Sequence, residues 1–589
     1  MPAIPSFLLD KGFWYSIPEA QLPLLGVGSI VRVPLGGRRV RGFVVEISER
    51  SAEGLKPLAA VSMAPPIFDQ PLLAALQWAA HRYVAPQSVL LERAAPPNLV
   101  GSLLDGPTPG DLGSELSTHP FSELARKVQA RKRQPPVALV ERWTNLEWVE
   151  AVAGPVCSSG QTLMIVVATA DEAAAIHSAV STAVGAERSL VVSPDRSDAE
   201  NTSAWAGSQL GGRVLVGTPR VAAWRVGEPG LAVVVEEGRR AMKDRQTPTI
   251  HVRDFLRTRA QLGRHTLAFV GPTPSLETLA AGATALRTTR RAWPAVEIVD
   301  RSSQPPLPGL VSHQALAAIR AVTAAGGSVF VFAHRRGYAP AVACERCRII
   351  RRCPNCGSRP ENAPRCPRCG YELGPCTNCG NDRFVPLGAG VGRVLEELMR
   401  AGGLSVDAAP TDALVKVGSE ADLAGLDPVA LAVAVDADGL ILGSHFRAAE
   451  EALRVLARLA GRVASGGGHR SMVQTSLPTH PVIDALRRGD PIPFLELELE
   501  ERRRMGFPPS GDLVVVEMRG ATPAGVDAAL EQAADRAMVL GPAPRRDGGR
   551  RWLIQGHDLT SFRHNLRPLV QKWRDAGTTV RIDSDPLEL

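Results

Sequence analysis

Short β-branched runs alternate with helical stretches through the middle of the chain. The runs "RVLVG", "GLAVVV" and "HTLAFVG" each end at a glycine, proline or acidic residue, and helical stretches such as "DEAAAIHSAVSTAV" accompany them. This alternation predicts βαβ units around a parallel sheet. The same pattern resumes at "GSVFVF" and continues through "LAVAVDADGLILGSHFRAAEEALRVL", so we predict a second α/β lobe.

The two ends of the chain follow different patterns. Near the N-terminus, "GSIVRVPLGGRRVRGFVVEIS" alternates apolar residues at period two on either side of Gly36 and Gly37, which predicts a β-hairpin. The stretch "DQPLLAALQWAAHRYVAP" that follows predicts an amphipathic helix. From about residue 511, strand "DLVVVEMRG", helix "AGVDAALEQAADRAMVL", strand "RRWLIQG", helix "SFRHNLRPLVQKWRDA" and strand "TTVRIDSD" predict a ferredoxin-like arrangement.

Length and charge narrow the class of protein. A chain of 589 residues is long enough for about four domains. The net charge of +7 favours an anionic partner such as nucleic acid, although an arginine-rich proteome would produce the same balance. The start of the sequence lacks the basic region of a signal peptide, and no apolar run approaches the ~18 residues that span a membrane. We therefore expect a cytoplasmic protein with reduced thiols and no membrane partner.

The strongest chemical signal is a cluster of cysteines. Eight of the nine cysteines lie between Cys344 and Gly380 as four C-x-x-C pairs. Such a turn places two thiolates at the spacing of a tetrahedral zinc site, so the cluster predicts two structural Cys₄ zinc sites. Spacing alone leaves three pairings of the four turns open. The short segment between Cys356 and Cys366 favours a hairpin that closes one site, with the outer turns meeting across it.

The order of several motifs resembles one known family. "HRRGYAP", the four C-x-x-C pairs, "DADG…HFRAAE", "ERRRMGFPP" and the terminal "DSDPLEL" resemble the primosomal protein N′ (PriA) family, superfamily-2 helicases that reload the replication machinery at stalled forks. The resemblance covers nearly the whole chain. It implies an α/β fold class with two RecA-like helicase lobes and a zinc-binding insertion. It also implies an N-terminal small β-rich DNA-binding domain and a C-terminal α+β ferredoxin-like domain.

The resemblance also implies a nested pairing of the cysteines and a division of the chain. One zinc ion would be held by Cys344, Cys347, Cys376 and Cys379, and the other by Cys353, Cys356, Cys366 and Cys369. The expected units are an N-terminal 3′-DNA-end-binding β-domain at 1–98, a Pro/Gly-rich basic linker at 99–135, a degenerate RecA-like lobe 1 at 136–300, a RecA-like lobe 2 at 301–342 and 381–480, a two-zinc module at 343–380 inserted in lobe 2, and a C-terminal domain at 481–589. The linker is too short for the winged-helix domain that the family has there.

The nucleotide motifs depart from those of a motor. The sequence contains no G-x-x-x-x-G-K-[ST], and the family's Asp-Glu-Glu-His reads Val235-Glu236-Glu237-Gly238. The family's second motif arginine after Arg462 is a serine. Because phosphoryl transfer depends on positioned positive charge, we expect no catalytic residue, and we interpret Glu236, Glu237 and Arg462 as relics. ATP and Mg²⁺ are then not expected as cofactors. The alternative is an active ATP-dependent 3′→5′ DNA helicase with a divergent nucleotide site.

The resemblance names candidate DNA contacts. Phe13 would stack on the terminal base of a 3′ end, Gly36 would leave the backbone open, and Lys56 would bind phosphate. Trp14 stands where the family has aspartate, and the competing interpretation is that Phe13 packs in the β-core. Further candidates for phosphate contacts are arginines of two predicted hairpins, although solvated basic turns would look the same. These arginines are Arg38 and Arg39 near the N-terminus and Arg545 and Arg546 near the C-terminus.

Together these features favour a replication-restart, primosome-assembly protein that recognises stalled or branched forks and helps to reload the replisome without helicase activity. The expected partners are forked or branched DNA, single-stranded DNA, primosome proteins and single-strand-binding proteins. We expect a monomer associated with the nucleoid. The remaining alternative is a zinc-ribbon protein of transcription or RNA metabolism on an unrelated α/β body, and the order of the family motifs argues against it.

Overall fold

The computed structural model describes residues 1–49, 51–98, 118–302, 309–334, 341–347, 349–358, 360, 364–366, 369–387, 390–443, 445–520, 522–545 and 548–588. The N-terminal unit has strands β1 (Ile30–Leu35), β2 (Arg38–Phe43) and β3 (Ala60–Val61), followed by helices α1 (Gln70–Arg82) and α2 (Gln87–Arg93). The predicted hairpin is confirmed, because β1 and β2 pair antiparallel from Ile30↔Phe43 to Leu35↔Arg38. Gly36 and Gly37 form its turn at φ +55° and +77°, a conformation that glycine adopts without strain.

The first lobe is a seven-stranded parallel sheet in the order β10-β4-β9-β8-β5-β7-β6. Its elements are α3 (Pro120–Gln129), β4 (Val137–Val140), α4 (Glu147–Ser158), β5 (Thr162–Val166), α5 (Ala170–Val184), β6 (Ser189–Val192), α6 (Asp198–Ser208), β7 (Val214–Gly217), β8 (Pro229–Val235), α7 (Val252–Gly263), β9 (Thr266–Gly271), α8 (Leu276–Ala280) and β10 (Thr284–Leu286). The central strands are almost wholly buried, as expected for a parallel sheet covered on both faces.

The expected linker at 99–135 is shorter than predicted. Residues 118–135 are described, and α3 within them packs against α4 of the first lobe. Phe121, Leu124, Ala125 and Val128 are buried, and their spacing of three, four and seven residues is that of one helix face. Because basic residues lie between these apolar positions, the segment was interpreted as a basic linker. Since α3 packs against α4, the first lobe begins at α3. The rest of the predicted linker, residues 99–117, lies outside the described residues.

The second lobe is a six-stranded parallel sheet in the order β11-β18-β17-β12-β16-β15. Its elements are β11 (Val296–Asp300), α9 (His313–Ala324), β12 (Val329–Phe332), β13 (Ala341–Cys344), β14 (Phe384–Leu387), α10 (Val391–Ala401), β15 (Val406–Ala408), β16 (Val415–Gly418), β17 (Leu431–Ala434), α11 (Asp438–Ile441), α12 (Ala448–Ala460), β18 (Arg470–Thr475), α13 (Pro481–Arg488) and α14 (Ile492–Met505). The antiparallel pair β13–β14 lies outside this sheet and brackets the cysteine-rich module.

Two boundaries of this lobe differ from those predicted. β11 was expected in the first lobe, but it pairs with β18 of the second. α13 and α14 were expected in the C-terminal domain, yet Ile483 and Leu495 are buried in the core of the second lobe. The lobe therefore spans about 296–505, because these segments find their apolar partners there.

The C-terminal domain has the ferredoxin-like βαββαβ order. Its elements are β19 (Asp512–Arg519), α15 (Val526–Ala534), β20 (Met538–Pro544), β21 (Arg550–Gly556), α16 (Thr560–Asp575) and β22 (Thr579–Ser584). The antiparallel sheet runs β20-β21-β19-β22. The predicted helix "AGVDAALEQAADRAMVL" is wrong at its end, since Met538-Val539-Leu540 pair with β21 as an edge strand. No helix among the described elements is long and apolar enough to cross a membrane.

Candidate functional site

The eight clustered thiols come together in two sets of four. Cys344, Cys347, Cys376 and Cys379 form one set, and Cys353, Cys356, Cys366 and Cys369 form the other. The shortest separations in the first set are 3.4 Å for Cys344–Cys379 and 3.5 Å for Cys347–Cys376. In the second set, Cys353–Cys369 and Cys356–Cys366 are both 3.6 Å apart. A ZnS₄ tetrahedron with bonds of about 2.3 Å has edges of about 3.8 Å, so each set could hold one ion.

The four cysteine turns share one backbone pattern. The N–H of the first cysteine donates to the carbonyl five residues later, which belongs to Ile349, Ser358, Tyr371 or Asn381. At two of these positions the side chain faces sulfur: Ser358 Oγ lies 3.1 Å from Cys366 Sγ, and Asn381 Nδ2 lies 3.6 Å from Cys344 Sγ. At the other two the side chain faces solvent, because Ile349 and Tyr371 are both 46% exposed. Sequence analysis did not identify Ser358 and Asn381. Each stands five residues after the first cysteine of a C-x-x-C pair, and this common spacing could have indicated them.

The predicted DNA-end residues lie on segments that meet at one end of the small sheet. Tyr15 Oη donates to Pro34 O at 3.2 Å, next to the Gly36 turn, and Ser16 N donates to Lys56 O at 3.0 Å. Phe13 is 39% exposed. Tyr15 packs against the cluster formed by Val31, Val33, Val44 and Leu58, whereas exposed Phe13 is not one of its members.

The basic candidates differ in their surroundings. Arg38 and Arg39 are exposed at the hairpin turn. Arg545, in contrast, lies 2.9 Å from Glu517, which also faces Arg551 at 3.5 Å and Arg581 at 3.2 Å. The positive charge predicted for this C-terminal hairpin is therefore partly neutralised by one carboxylate. Arg546 lies outside the described residues.

The turn between β4 and α4 is where the family resemblance places the phosphate-binding loop. This turn contains Trp143, which is only 5% exposed and receives a hydrogen bond on its carbonyl oxygen from Trp148 Nε1 at 3.2 Å. Glu147 and Glu150 lie in the first turn of α4. A phosphate cradle needs glycine backbone, a lysine and a helix N-terminus free to attract anions. Here an indole fills the turn and carboxylates already occupy the positive end of the helix.

The three predicted relics all have structural partners. Glu236 has φ +48° and lies 2.8 Å from Arg458 Nε of the second lobe. Glu237 is buried and accepts hydrogen bonds from Ser275 N and Thr278 Oγ1, both at 2.8 Å. Burial raises the pKa of Glu237 despite these bonds. Arg462 places its guanidinium 5.4 Å from the ring centroid of Trp143.

Comparison with known proteins shows what this chain is similar to. Residues 3–96 match the 3'DNA-binding domain (3'BD) of PriA, and residues 503–587 match the primosomal protein N C-terminal domain. A probable replication restart protein PriA of Mycobacterium leprae is 28% identical over 610 residues, which is 92% of this chain and 91% of that protein. The Mycobacterium tuberculosis protein of the same name is 28% identical over 669 residues, 99% of each chain. Over nearly its whole length the chain is therefore similar to PriA replication restart proteins, and each terminal domain matches a family model of that group.

The likeness to more distant PriA proteins and to solved structures is weaker. The replication restart protein PriA of Synechocystis is 25% identical over 460 residues, 67% of this chain and 55% of that protein. Among solved structures, RecG bound to a three-way DNA junction gives a TM-score of 0.37 at 12% identity, covering 65% of this chain and 47% of that chain. Dbp5 of S. cerevisiae bound to RNA and ADP BeF3 gives 0.36 at 11% identity, covering 65% and 93%.

Proposed function

We propose that the protein recognises branched DNA with a free 3′ end during replication restart and does so without ATP-driven unwinding. The observation that carries the proposal is the match of residues 3–96 to the 3'DNA-binding domain. Within it, exposed Phe13 lies just before Tyr15, which bonds Pro34 O next to the Gly36 turn, and Ser16, which bonds Lys56 O. An exposed aromatic ring, an open backbone and a lysine are the groups that stack on a terminal base and bind its phosphate. This role would bring the protein to the nucleoid.

The absence of unwinding is proposed from the β4–α4 turn. Trp143 occupies the position of the phosphate cradle, and Glu147 and Glu150 repel a triphosphate from the helix N-terminus. Glu236 already pairs with Arg458 of the second lobe and Arg239 of the first. An active helicase with a divergent site would need a second place for the phosphates, and no feature of the described lobes favours one.

The cysteine module is proposed to hold two structural zinc ions. Four thiolates close the coordination sphere of each ion and leave no position for a substrate. Ile349 and Tyr371 then project from the module into solvent. We assign this exposed surface as the place where primosome and single-strand-binding proteins dock, or where single-stranded DNA passes.

Replacing the stacking ring is expected to weaken binding to forks that carry a leading-strand 3′ end. Loss of base–aromatic stacking costs about 1–3 kcal/mol, so Phe13→Ala should lower affinity by about 5- to 150-fold. Forks that lack a leading-strand 3′ end should bind wild type and Phe13→Ala alike. Fluorescence anisotropy at fixed salt measures both. The matched control is Leu8→Ala, which removes another exposed apolar side chain of the same unit (68% exposed) and should bind like wild type. An equal loss of affinity for both kinds of fork would contradict the proposed stacking of Phe13 on the 3′ end.

ATP turnover is expected to stay at background with and without forked DNA. A coupled hydrolysis assay on the zinc-loaded protein measures this directly, with fork binding recorded in the same samples. Turnover that rises with the fork and disappears in Glu236→Gln would overturn the proposal and favour the helicase alternative. Tight fork binding with no hydrolysis is the expected result.

A further inference from the structure

The helix that precedes the relic Arg462 presents a row of buried arginines to the first lobe. Arg447 at the start of α12, and Arg454 and Arg458 within it, are spaced by seven and four residues and so lie on one face of the helix. They are only 5%, 7% and 3% exposed. Arginine is rarely buried without a partner, so this face requires carboxylates opposite it.

The first group of partners lies at the carboxyl ends of β5 and β8. Arg458 contacts Glu172 at 3.1 Å and Glu236 at 2.8 Å, and both carboxylates belong to the first lobe. Arg239 of the first lobe contacts the same two residues at 2.5 and 3.3 Å. Burial alone would raise the pKa of Glu172, but Arg239 and Arg458 outweigh it and hold this pKa below its usual value. The carboxylate is therefore charged, and one guanidinium from each lobe shares it.

A second group lies next to α8. Arg447 contacts Glu277 of the first lobe at 2.5 Å, and Arg253 contacts the same carboxylate at 3.0 Å. Glu450 of α12 accepts a hydrogen bond from the backbone N–H of Leu276 at 3.1 Å. Burial opposes charge on Glu277, yet the neighbouring guanidinium groups hold its pKa well below the usual range. The second lobe therefore contributes both a donor, Arg447, and an acceptor, Glu450, to its contacts with the first lobe.

At the rim of the cleft between the two lobes, an arginine and a glutamate again pair across the lobes. Arg240 of the first lobe forms a bidentate pair with Glu451 of α12, with both distances at 2.6 Å. Arg454 contacts Glu420 of its own lobe at 2.5 Å and Glu451 at 3.5 Å. Apolar contacts accompany the charges, because Val140 and Leu276 of the first lobe are part of the second lobe's core. In this arrangement of the lobes, Arg447, Arg458 and Arg240 each pair with a carboxylate of the opposite lobe.

We infer that this interlobe network, formed by Glu172, Glu236, Arg239, Arg240, Glu277, Arg447, Glu450, Glu451 and Arg458, holds the two lobes closed with no nucleotide between them. The network lies where a motor would bind nucleotide and would open and close. The lobes then form one rigid body. The inference concerns lobe motion and does not rest on the proposed recognition of a 3′ end.

The test measures the distance between the lobes in the full chain. Spin labels placed through an unnatural amino acid at Ala175 and Ala317, both exposed on helices of opposite lobes, leave the zinc thiols untouched. Pulsed electron paramagnetic resonance on the wild type should show one narrow distribution of distances between the labels, and neither ATP nor ADP should change it. Arg458→Met should increase the ratio of open to closed lobes by about 10²- to 10³-fold, the effect of removing one member of a buried ion pair. Arg320→Met is the control, because this exposed arginine bonds Ala401 O within its own lobe.

Each outcome decides the inference. A wild type with two populations, or one whose distances shift with nucleotide, overturns it, as does a narrow distribution that persists when Arg447→Met is added to Arg458→Met. If Arg458→Met does not fold, the rim variants Arg240→Met and Glu451→Gln take its place, with circular dichroism and zinc content as checks of folding. Anisotropy on forked DNA is recorded in the same samples. Loss of fork binding with closed lobes would count against the proposed function alone.

Discussion

Removal of metal is expected to unfold the cysteine module while the two lobes and the C-terminal domain stay folded. Between residues 345 and 380 the buried residues among those described are Cys353, Cys366, Cys376 and Pro360, so this part of the module has no apolar core of its own. Its order depends on the two sets of thiols. Zinc binding supplies about 10–16 kcal/mol of folding free energy in comparable small sites, far more than a few hydrogen bonds supply.

The measurement combines metal analysis with limited proteolysis. Wild type should contain two zinc ions per chain, and chelation should open the arginine-rich module to trypsin before the lobes are cut. Cys366→Ser and Cys353→Ser should each lose the same single ion, whereas Cys366→Ser combined with Cys344→Ser should lose both. Cys157→Ser is the matched control, since this buried thiol lies on α4, away from the module. A chelated protein that resists trypsin within the module would show that metal does not hold it.

The parts of the fold that follow local patterns could be predicted from the sequence. The parallel lobes and the ferredoxin-like end appear as alternation of strands and helices, and the hairpin at Gly36 appears as apolar residues at period two. The spacing of the cysteines predicts tetrahedral sites. The set to which each cysteine belongs came from the family resemblance, because spacing left three pairings open. The structure brings the thiols together in the nested sets.

The parts that depend on distant partners could not be predicted in this way. β11 reads as a strand in sequence, but only its pairing with β18 assigns it to the second lobe. From the sequence, Glu236 was interpreted as a relic. Its ion-pair partner, Arg458, lies more than two hundred residues further along the chain, so the sequence around Glu236 does not reveal it. Trp143 carries no motif, and its significance comes from its burial in the turn after β4. Such properties belong to tertiary contacts, which periodicity does not record.

A joint between the two terminal domains is the basis of the last prediction. Arg82 at the end of α1 forms two bidentate pairs, with Asp585 at 2.7 and 3.0 Å and with Asp512 at 3.0 and 3.2 Å. Buried Arg563 contacts Asp512 at 2.8 Å from the other side. Arg82 therefore ties the N-terminal unit to the C-terminal domain, which places two candidate DNA-binding domains in a fixed relation.

The variant Arg82→Met is expected to lower the free energy of unfolding of this joint by about 2–4 kcal/mol, because it leaves two carboxylates with one arginine. Arg131→Met is the control. Its pair with Glu228 is exposed at 64% and 60%, and such pairs contribute about 0–1 kcal/mol. Calorimetry measures the first unfolding transition, and anisotropy should show weaker fork binding, since the two domains lose their shared orientation.

The dependence on pH separates this account from a general loss of packing. Burial would raise the pKa of Asp512, but Arg563 and Arg82 outweigh it and lower this pKa from 3.8 to about 2. A carboxyl group with a lowered pKa stabilises the fold fully above its unfolded value, and the contribution is lost as pH falls through about 2. Between pH 4 and 2 the wild type should therefore lose more stability than Arg82→Met does. Parallel curves for the two proteins would mean that Arg82 acts through packing and not through its charge.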